Sequence, residues 1–388
     1  GCLSLARIFD PDVIVLGGGL VGGPMAVDLA KDKDIDVSVA DISETILKRF
    51  ERHPDIDIVQ QDLGDRNGLK KLISGFDMVV SAVPGFMGYK TLETIIESGK
   101  NVVDIAFFPE DALTLDELAK EKSVTAVVDC GVAPGMSNLL TGYADHLLDK
   151  TENALIYVGG LPEVRTQPWE YKAVFSPIDV IEEYIRPAYY VENNQIIEKP
   201  ALSDPELIDF PEVGTLEVFN TDGLRSLIKT LDIPNMKEKT MRYPGHIEKM
   251  ILLRDSGFFS EDSVLVDGHM VRPIDVTAKL LFPQWELKHG EVDITIMRIM
   301  VDGVKDNKKR TYTWDLFDRY DPETKVHSMA RTTGYTATVA LRLLKQSLFN
   351  QKGIITPEII GKNEACVKFI LEGLKQRNII YKETIIDL

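Results

Sequence analysis

The chain has 388 residues, with 44 basic and 61 acidic side chains and a formal net charge of −17. This charge disfavours binding to nucleic acid and to anionic membranes, because both are polyanions. Three widely spaced cysteines form neither a metal-binding pair nor an even disulfide framework, which is typical of a reducing compartment. Residues 13–27 are too short and too rich in glycine to span a bilayer, and no basic signal-peptide segment precedes them. We therefore expect a cytoplasmic protein with no membrane or nucleic-acid partner.

The first 150 residues alternate short apolar strands with helical segments. The predicted strands are 13–17, 37–41, 56–62, 78–85, 101–107 and 125–131. The helical patterns cover 19–31 and 112–122 and begin also at residues 43, 65 and 88. Strands that alternate with helices of this length form a parallel sheet covered on both faces by right-handed crossovers. The pattern predicts the α/β fold class, with a doubly wound Rossmann domain that binds a dinucleotide.

The stretch DVIVLGGGLVGGP at residues 12–24 connects the first predicted strand to the first predicted helix. Gly17, Gly19 and Gly22 fit the pattern G-x-G-x-x-G, and Leu20 and Val21 complete the loop. Glycines there allow a tight turn, a close approach of backbone to pyrophosphate, and close packing of the helix on the strand. The loop is predicted to bind the cofactor, with an ordinary structural turn as the alternative.

Further cofactor contacts are expected after the other strands of this domain. Asp41 ends the second strand, where a carboxylate accepts hydrogen bonds from the adenosine ribose and repels a 2′-phosphate, so NAD is favoured over NADP. Asp62 ends the third strand and either reaches the adenine or caps a turn or helix. Ala82, Val83 and Pro84 follow the fourth strand and are expected to offer main-chain contacts near the nicotinamide.

From about residue 150 the pattern changes to longer alternating strands, which are typical of an antiparallel or mixed sheet. These strands are predicted at 155–162, 173–176, 216–223, 292–303 and 309–318. A helical pattern at 334–348 follows them and is expected to return to the first domain.

Two common chemistries lack their sequence signatures. No Tyr-x-x-x-Lys occurs, so the short-chain dehydrogenase mechanism is not indicated. The six histidines have no second histidine or cysteine at ligand spacing, and we expect no metal.

Several long strings closely resemble lysine 6-dehydrogenases of the saccharopine dehydrogenase-like family. They are SAVPGFMGYK, VDCGVAPGMSNLLTGY, YVGGLP, FSPIDVIEEYIRPA, TDGLRSL, TMRYPGHIEK and SMARTTGYTA. The resemblance implies an NAD-dependent homodimer with an inserted α+β substrate domain resembling that of saccharopine reductase. The implied domains are 1–145 plus 332–388 for NAD and 146–331 for the substrate and dimerisation.

The resemblance also implies a reaction. These enzymes oxidise the 6-amino carbon of L-lysine and release ammonia and 2-aminoadipate 6-semialdehyde, which cyclises to 1-piperideine-6-carboxylate. Saccharopine relatives act instead on a secondary amine that joins lysine to an oxo-acid. Both reactions transfer a hydride from a carbon that bears nitrogen.

An amine with a pKa near ~10.4 must lose a proton before it releases hydride, so the site needs a base or a desolvating pocket. His246, inside RYPGH, is the best candidate by residue type, although a histidine on a surface loop is the alternative. Glu170 and Tyr171, in PWEYK, are alternatives for proton transfer or for holding an ammonium group.

The substrate carboxylate needs a fixed cation, and the arginine fork suits it. Arg225 is slightly favoured over Arg242 and Arg331, and interdomain or surface salt bridges are the alternative for each. Trp169 either lines a pocket for the aliphatic chain of lysine or packs in the core. Gly131 and Pro134, after the sixth strand, are expected to approach nicotinamide or substrate through their main chain.

The sequence leaves three functions open. A lysine 6-dehydrogenase is favoured by the resemblance across both domains. A saccharopine dehydrogenase or reductase would need at least two further cationic groups for its three carboxylates. A non-catalytic NAD-binding sensor ranks lower, because the resemblance extends into the polar loops of the second domain.

Overall fold

A computed structural model describes residues 11–175, 177–288 and 290–387. The chain divides into two compact units. Unit 1 contains the described residues up to Val128 together with Ala337–Ile355, and unit 2 contains Asp129–Thr336 together with the residues from Thr356 onward.

Within the described residues, the strands are β1 (Asp12–Leu16), β2 (Asp36–Asp41), β3 (Ile56–Gln60), β4 (Met78–Ser81), β5 (Asn101–Asp104), β6 (Thr125–Val127), β7 (Lys150–Pro162), β8 (Ala188–Glu192), β9 (Gln195–Lys199), β10 (Glu206–Phe210), β11 (Gly214–Asn220), β12 (Asn235–Arg242), β13 (Val264–Val266), β14 (His269–Val271), β15 (Asp293–Lys305), β16 (Lys308–Arg319), β17 (Gly353–Ile355) and β18 (Tyr381–Asp387).

The α-helices are α1 (Gly22–Leu29), α2 (Glu44–Leu47), α3 (Arg66–Ile73), α4 (Gly85–Glu97), α5 (Asp116–Glu121), α6 (Met136–Leu147), α7 (Pro177–Ile185), α8 (Leu227–Thr230), α9 (His246–Asp255), α10 (Pro273–Trp285), α11 (Ser328–Lys345), α12 (Pro357–Gly361) and α13 (Glu364–Lys375). Short 3₁₀ turns cover Lys48–Arg52 and Ala112–Leu115.

Unit 1 is built on a parallel sheet with the strand order β17-β6-β5-β4-β1-β2-β3. The central strand β1 has four consecutive buried residues, Val13 to Leu16, as expected of a parallel strand covered on both faces. The predicted Rossmann fold is confirmed, and the six predicted strands all form. The seventh strand, β17, was not predicted, because three residues that begin with a glycine carry little periodicity.

Unit 2 is built on a mixed sheet with the order β10-β11-β12-β7-β15-β16-β18, and β8 and β9 are attached to β12. β7 pairs with β12 in parallel, whereas its pairing with β15 is antiparallel. Four of the predicted strands coincide with β7, β11, β15 and β16. The strand predicted at 173–176 does not form: Ala173 makes an isolated bridge to Glu286, residues 174 and 175 lie in bends, and residue 176 lies outside the described residues.

The C-terminal segment differs from its sequence assignment. Residues 332–388 were assigned to the first domain, but only 337–355 group with unit 1. β18 hydrogen bonds to β16 along the edge of the mixed sheet, so this strand belongs with unit 2. Its pairing partner, β16, is distant in sequence, so no local sequence pattern predicts this pairing.

Within the described residues, none of the helices combines the length and apolar character that crossing a membrane requires.

Candidate functional site

The glycine loop of unit 1 has the backbone that its sequence predicts. Gly17 has a φ of +94°, and a Cβ there would lie 2.7 Å from the Ala82 carbonyl oxygen. A Cβ at Gly22 would lie 1.9 Å from the Gly17 carbonyl oxygen, so the start of α1 packs directly on the turn. A Cβ at Gly19 would meet no atom within 4 Å. Gly17 and Gly22 are therefore required by packing inside the protein, whereas Gly19 opens onto free space where a phosphate can approach the backbone.

Asp41 is connected to the glycine loop by a direct hydrogen bond. Its Oδ2 accepts the backbone N–H of Gly18 at 2.9 Å, and its Oδ1 accepts the N–H of Ser43 at 2.8 Å. Each carboxylate oxygen keeps a lone pair for a further donor such as a ribose hydroxyl. Between Asp41 and Ser43, the side chain of Ile42 is 62% exposed and carries no charge.

The other predicted cofactor residues of unit 1 lie on the neighbouring loops. Leu20 is exposed, and Val21 immediately precedes α1. Asp62 is exposed and accepts the N–H of Gly64 at 2.8 Å, so its carboxylate forms a turn of its own. This geometry favours the turn-capping alternative for Asp62.

Residues 82–84 follow β4 directly. The N–H of Ala82 donates to the Leu16 carbonyl at 2.9 Å, which places this stretch beside the glycine loop. Val83 is buried, and Pro84 immediately precedes α4. The loop, Asp41 and residues 82–84 together form one edge of unit 1, at the carboxyl ends of β1, β2 and β4. An open glycine, a helix N-terminus and a carboxylate fit the pyrophosphate and ribose of a dinucleotide.

Unit 2 contains a cluster of charged side chains that we call the ionic cluster. Its members come from the start of unit 2, from α7 and the residue after it, from the loop after β11, and from the end of β12. They are Asp129, Glu182, Glu183, Arg186, Asp222, Arg225 and Arg242. These seven side chains comprise four carboxyl and three guanidinium groups, and the carboxyl groups of Asp179 and Glu238 lie near Glu183.

Arg225 and Asp129 form a buried pair within the cluster. The Nε and Nη2 atoms of Arg225 donate to the two Asp129 oxygens, each at 3.3 Å. Both side chains are under a tenth exposed. The sequence predicted that Arg225 binds a substrate carboxylate. The structure favours the salt-bridge alternative, because the guanidinium already has a protein partner.

Asp222 lies beside this pair. Burial raises the pKa of its carboxyl, although the nearby guanidinium groups of Arg225 and Arg186 lower it. Within the described residues its side chain has no hydrogen-bond partner. Arg186 is paired with Glu182 at 2.9 Å, one turn back along the chain. Asp222 is thus a carboxyl with a raised pKa and without a direct partner.

Arg242 occupies the most buried position in the cluster and is 2% exposed. Its Nη2 donates to Glu183 Oε2 at 2.8 Å, and its Nε donates to the Tyr184 hydroxyl at 3.3 Å. Its guanidinium carbon lies 4.7 Å from the centre of the Tyr171 ring, at cation–π distance. Arg242 therefore holds α7 against β12, and the salt-bridge alternative describes it better than a free carboxylate-binding role.

His246 is fully buried at the start of α9, and both of its ring nitrogens have partners. Nδ1 donates to the Trp169 carbonyl at 2.9 Å, since a carbonyl can only accept, and Nε2 accepts the Tyr184 hydroxyl at 2.9 Å. Burial, aided by the charge of Arg242, lowers the pKa of His246 to about 3. A neutral imidazole with both nitrogens bonded is a poor proton acceptor, so the geometry argues against the sequence hypothesis that His246 is the base.

The PWEYK residues surround this histidine. Trp169 Nε1 donates to Gln284 at 2.9 Å. Glu170 accepts a hydrogen bond from Arg165 Nε at 3.0 Å and forms an ion pair with Arg165 Nη2 at 2.9 Å. Tyr171 is 2% exposed, and burial raises the pKa of its phenol. The structure brings these residues together with His246 and Arg242, but as packed and paired groups of unit 2.

The remaining candidates of unit 2 lie elsewhere. Arg331 donates to Asp318 at 3.2 Å, to Asp321 at 3.1 Å and to the Arg377 carbonyl at 2.9 Å. It connects α11 to the C-terminal segment and is not joined to the ionic cluster by any of these bonds. The N–H of Gly131 donates to the Pro134 carbonyl at 3.1 Å in the turn before α6.

Three acidic residues near this region were missed from the sequence: Glu183, Asp222 and Glu238. A signal for one of them was present. β12 carries Glu238, Thr240 and Arg242 on one face and lysines on the other, so neither face is apolar as in an ordinary half-buried strand. A buried charge is costly unless it is paired. Charged residues on both faces of a strand therefore indicate that polar partners lie around it.

Comparison with known proteins gives matches along nearly the whole chain. Residues 13–127 match the family model "Saccharopine dehydrogenase NADP binding domain", and residues 131–380 match "Saccharopine dehydrogenase C-terminal domain". The mitochondrial alpha-aminoadipic semialdehyde synthase of Mus musculus is 26% identical over 192 residues, 48% of this chain and 21% of that protein. The chain thus spans about a fifth of the length of that relative.

Two further relatives match over their full length. Saccharopine dehydrogenase [NADP(+), L-glutamate-forming] of Schizosaccharomyces pombe is 23% identical, with 97% of this chain and 99% of that protein covered. The apo structure of saccharopine dehydrogenase (L-Glu forming) from Saccharomyces cerevisiae superimposes with a TM-score of 0.80 at 19% identity, covering 97% of this chain and 100% of the other.

The parallel sheet with its open glycine loop and the mixed sheet of unit 2 correspond to the two domains of one protein family. The chain belongs to the saccharopine dehydrogenase family.

Proposed function

We propose that the protein oxidises L-lysine at the 6-amino carbon with NAD, and releases ammonia and 2-aminoadipate 6-semialdehyde. In this proposal the glycine loop and Asp41 of unit 1 hold the cofactor, and the ionic cluster of unit 2 holds the amino acid. NAD, when bound, supplies the acceptor for a hydride from the substrate carbon.

The charge balance of the ionic cluster carries the proposal. Each of its three guanidinium groups already faces a protein carboxylate, and within the part of the chain that the structure describes Asp222 has no guanidinium hydrogen bonded to it. Carboxyl groups therefore outnumber guanidinium groups among the described residues of the cluster, which complements a ligand with excess positive charge. Lysine, with two ammonium groups and one carboxylate, has that charge at neutral pH, whereas saccharopine has three carboxylates and an excess negative charge.

Asp222 is the proposed proton acceptor. Its raised pKa and its lack of a hydrogen-bond partner within the described residues suit a group that takes a proton from an ammonium. Once the 6-amino group has given up its proton, the C6–H bond can break with its electron pair and leave an iminium. Water then adds to C6, and the C–N bond breaks to release ammonia and leave the aldehyde.

The choice of NAD over NADP rests on the residues after β2. In the proposal the carboxylate of Asp41 faces the ribose and repels a 2′-phosphate, and the neighbouring Ile42 and Ser43 supply no cation to hold one. NADP-dependent members of this fold generally require such a cation. The name of the matching family model mentions NADP, so cofactor preference is a direct test of this part of the proposal.

The alignment with the S. pombe relative gives further support. It extends over 458 positions although this chain has 388 residues, so the relative carries internal segments that this chain lacks. A smaller substrate than saccharopine is consistent with that difference.

Saccharopine cleavage is the second candidate, favoured by the end-to-end match with the S. pombe protein. One assay separates the two. The purified protein is incubated with NAD or NADP and with L-lysine or saccharopine, while reduced cofactor and free ammonia are measured. The proposal expects reduced NAD and equal ammonia with lysine. Reduced cofactor with saccharopine, with no ammonia, would establish the second candidate instead.

A further inference from the structure

We propose that the 221–230 segment, which follows β11, includes α8 and carries Asp222 and Arg225, is held at each end by a buried glutamate that carries a proton. Glu238 holds Thr221, and Glu358 holds Thr230. The inference rests on the proposed function only where that function assigns Asp222 and the ionic cluster to the substrate.

The two hydrogen-bond partners of the Thr230 hydroxyl indicate that Glu358 carries a proton. Thr230 Oγ1 lies 2.6 Å from Glu358 Oε1 and 3.0 Å from the Ser226 carbonyl oxygen. A hydroxyl has one proton, and a carbonyl can only accept. When Thr230 donates to Ser226, the proton shared with Glu358 has to come from the glutamate.

The surroundings of Glu358 favour its neutral form. The residue is 0% exposed, and no cation acts on it among the described residues. Hydrogen bonds from Thr230, Ser226 and Thr356 favour the charged form, but a buried carboxylate without an opposing cation is more costly than a neutral acid. Burial accordingly raises the pKa of Glu358.

Glu238 lies at the other end of the segment. Glu238 is 4% exposed, and its Oε2 lies 2.5 Å from Thr221 Oγ1. Thr221 Oγ1 also lies 2.9 Å from Thr240 Oγ1, where either hydroxyl can donate, so the burial of Glu238 and the carboxylates near it are what favour its proton. A Cβ at Gly223 would lie 2.1 Å from Glu238 Cδ, so the carboxyl packs directly against the backbone of the segment.

The charges that face Glu238 come from three elements. Burial raises the pKa of Glu238 to about 8, and the carboxylates of Glu183 on α7 and Asp222 in the segment raise it further, whereas the Thr221 hydrogen bond and Arg242 on β12 lower it. The side chain is therefore mostly protonated at neutral pH. Above that range it gains a negative charge beside two other carboxylates.

The segment needs such support. Arg225 has a φ of 50°, in the left-handed region that a side chain with a Cβ seldom adopts. The helix α8 at the end of the segment has four residues and cannot hold a strained turn by itself. Asn138 adds a hydrogen bond to Ser226 at 3.3 Å between the two glutamates. The two glutamates are thus positioning residues for Asp222 and Arg225.

Infrared difference spectroscopy tests the protons directly and needs no substrate. Spectra of the whole protein at neutral pH are compared with those of E238Q, E358Q and the control E248Q, which changes an exposed glutamate of α9. We expect E238Q and E358Q each to remove one carbonyl band of a protonated carboxylic acid, and E248Q to remove none. If neither substitution removes such a band, the proposal is overturned.

Hydrogen exchange and kinetics test the positioning role. Backbone amides of residues 221–230 should lose protection in the wild type as pH rises through about 8, should keep it in E238Q, and should lack it at every pH in E238A. The KM for lysine should rise over the same range in the wild type and stay flat in E238Q. If E238Q exchanges like E238A, a neutral donor does not hold the segment and the inference fails. Exchange as expected with no turnover of lysine would contradict the proposed function alone.

Discussion

The Nε2 atom of His246 lies 2.9 Å from the hydroxyl oxygen of Tyr184, inside unit 2. The other ring nitrogen donates to the Trp169 carbonyl. Since Nε2 has to accept, the imidazole is neutral and bridges α9 to α7. The sequence suggested His246 as a base. In the structure it is instead a buried residue that connects α9 to α7 by a hydrogen bond.

Protonation of His246 should therefore destabilise the fold in acid. Its pKa is about 3 in the folded protein against an ordinary value of 6.5, so the unfolded chain binds a proton that the folded protein does not between those values. Stability from this group is complete above pH 6.5 and is lost as pH falls toward 3, by up to about 1.4 kcal/mol per pH unit. Denaturant unfolding from pH 7 to pH 4 should show a steeper loss for the wild type than for H246Q.

The matched control for that experiment is H146Q, which changes an exposed histidine at the end of α6. H146Q should follow the pH dependence of the wild type. An identical dependence in H246Q and wild type would mean that His246 is protonated in the folded state.

Replacement of Asp41 should change the cofactor preference. In D41N the amide oxygen can still accept one of the two loop N–H groups, but the negative charge is gone. We expect the ratio of kcat/KM for NAD to that for NADP to fall by roughly 10-fold, as one lost charged contact of about 1.4 kcal/mol implies. D41A should weaken both cofactors further, because it also frees the Gly18 N–H. An unchanged ratio in D41N would show that the carboxylate does not face the ribose.

Removal of the proposed proton acceptor should act on the chemical step. D222N keeps the size of the side chain but cannot take a proton, and kcat with lysine should fall by roughly 100-fold or more. The pH at which activity rises should also change, because the carboxyl with the raised pKa is absent. D232N, at an exposed aspartate after α8, is the control. Activity of D222N like that of D232N would exclude Asp222 from proton transfer.

The pair formed by Arg225 and Asp129 should be energetically coupled. Both side chains are buried, and each single substitution, R225Q or D129N, leaves the other partner without its opposing charge. In a double-mutant cycle of unfolding free energies we expect the double variant to be less destabilised than the sum of the singles by roughly 1–3 kcal/mol. A coupling near zero would show that the two side chains do not interact in solution.

Much of unit 1 could be predicted because its signals are local. Buried strands such as residues 13–16 are continuous apolar runs, and the spacing of the glycines predicts the turn that follows. The position of Asp41 at a strand end was likewise readable, although its bond to the Gly18 N–H was not. Cofactor type and site roles remain predictions.

Less of unit 2 could be predicted, because its strands pair with strands that are distant in sequence. β18 pairs with β16 across more than sixty residues of chain, and no periodicity in 381–387 indicates that partner. The same holds for the site: Arg242 and His246 were chosen by residue type, but burial and the hydroxyl of Tyr184 decide what they do. Asp222 was overlooked because a Thr-Asp-Gly sequence is typical of an ordinary turn.

Isotope transfer from the substrate tests the central claim most directly. L-lysine carrying two deuterium atoms on C6 is incubated with the protein and NAD, and the reduced cofactor and free ammonia are analysed by mass spectrometry and an ammonia assay. The account predicts one deuterium in each reduced nicotinamide and one ammonia released for each. Reduced cofactor without deuterium, or no reduction with lysine while saccharopine reduces the cofactor without ammonia, would contradict it.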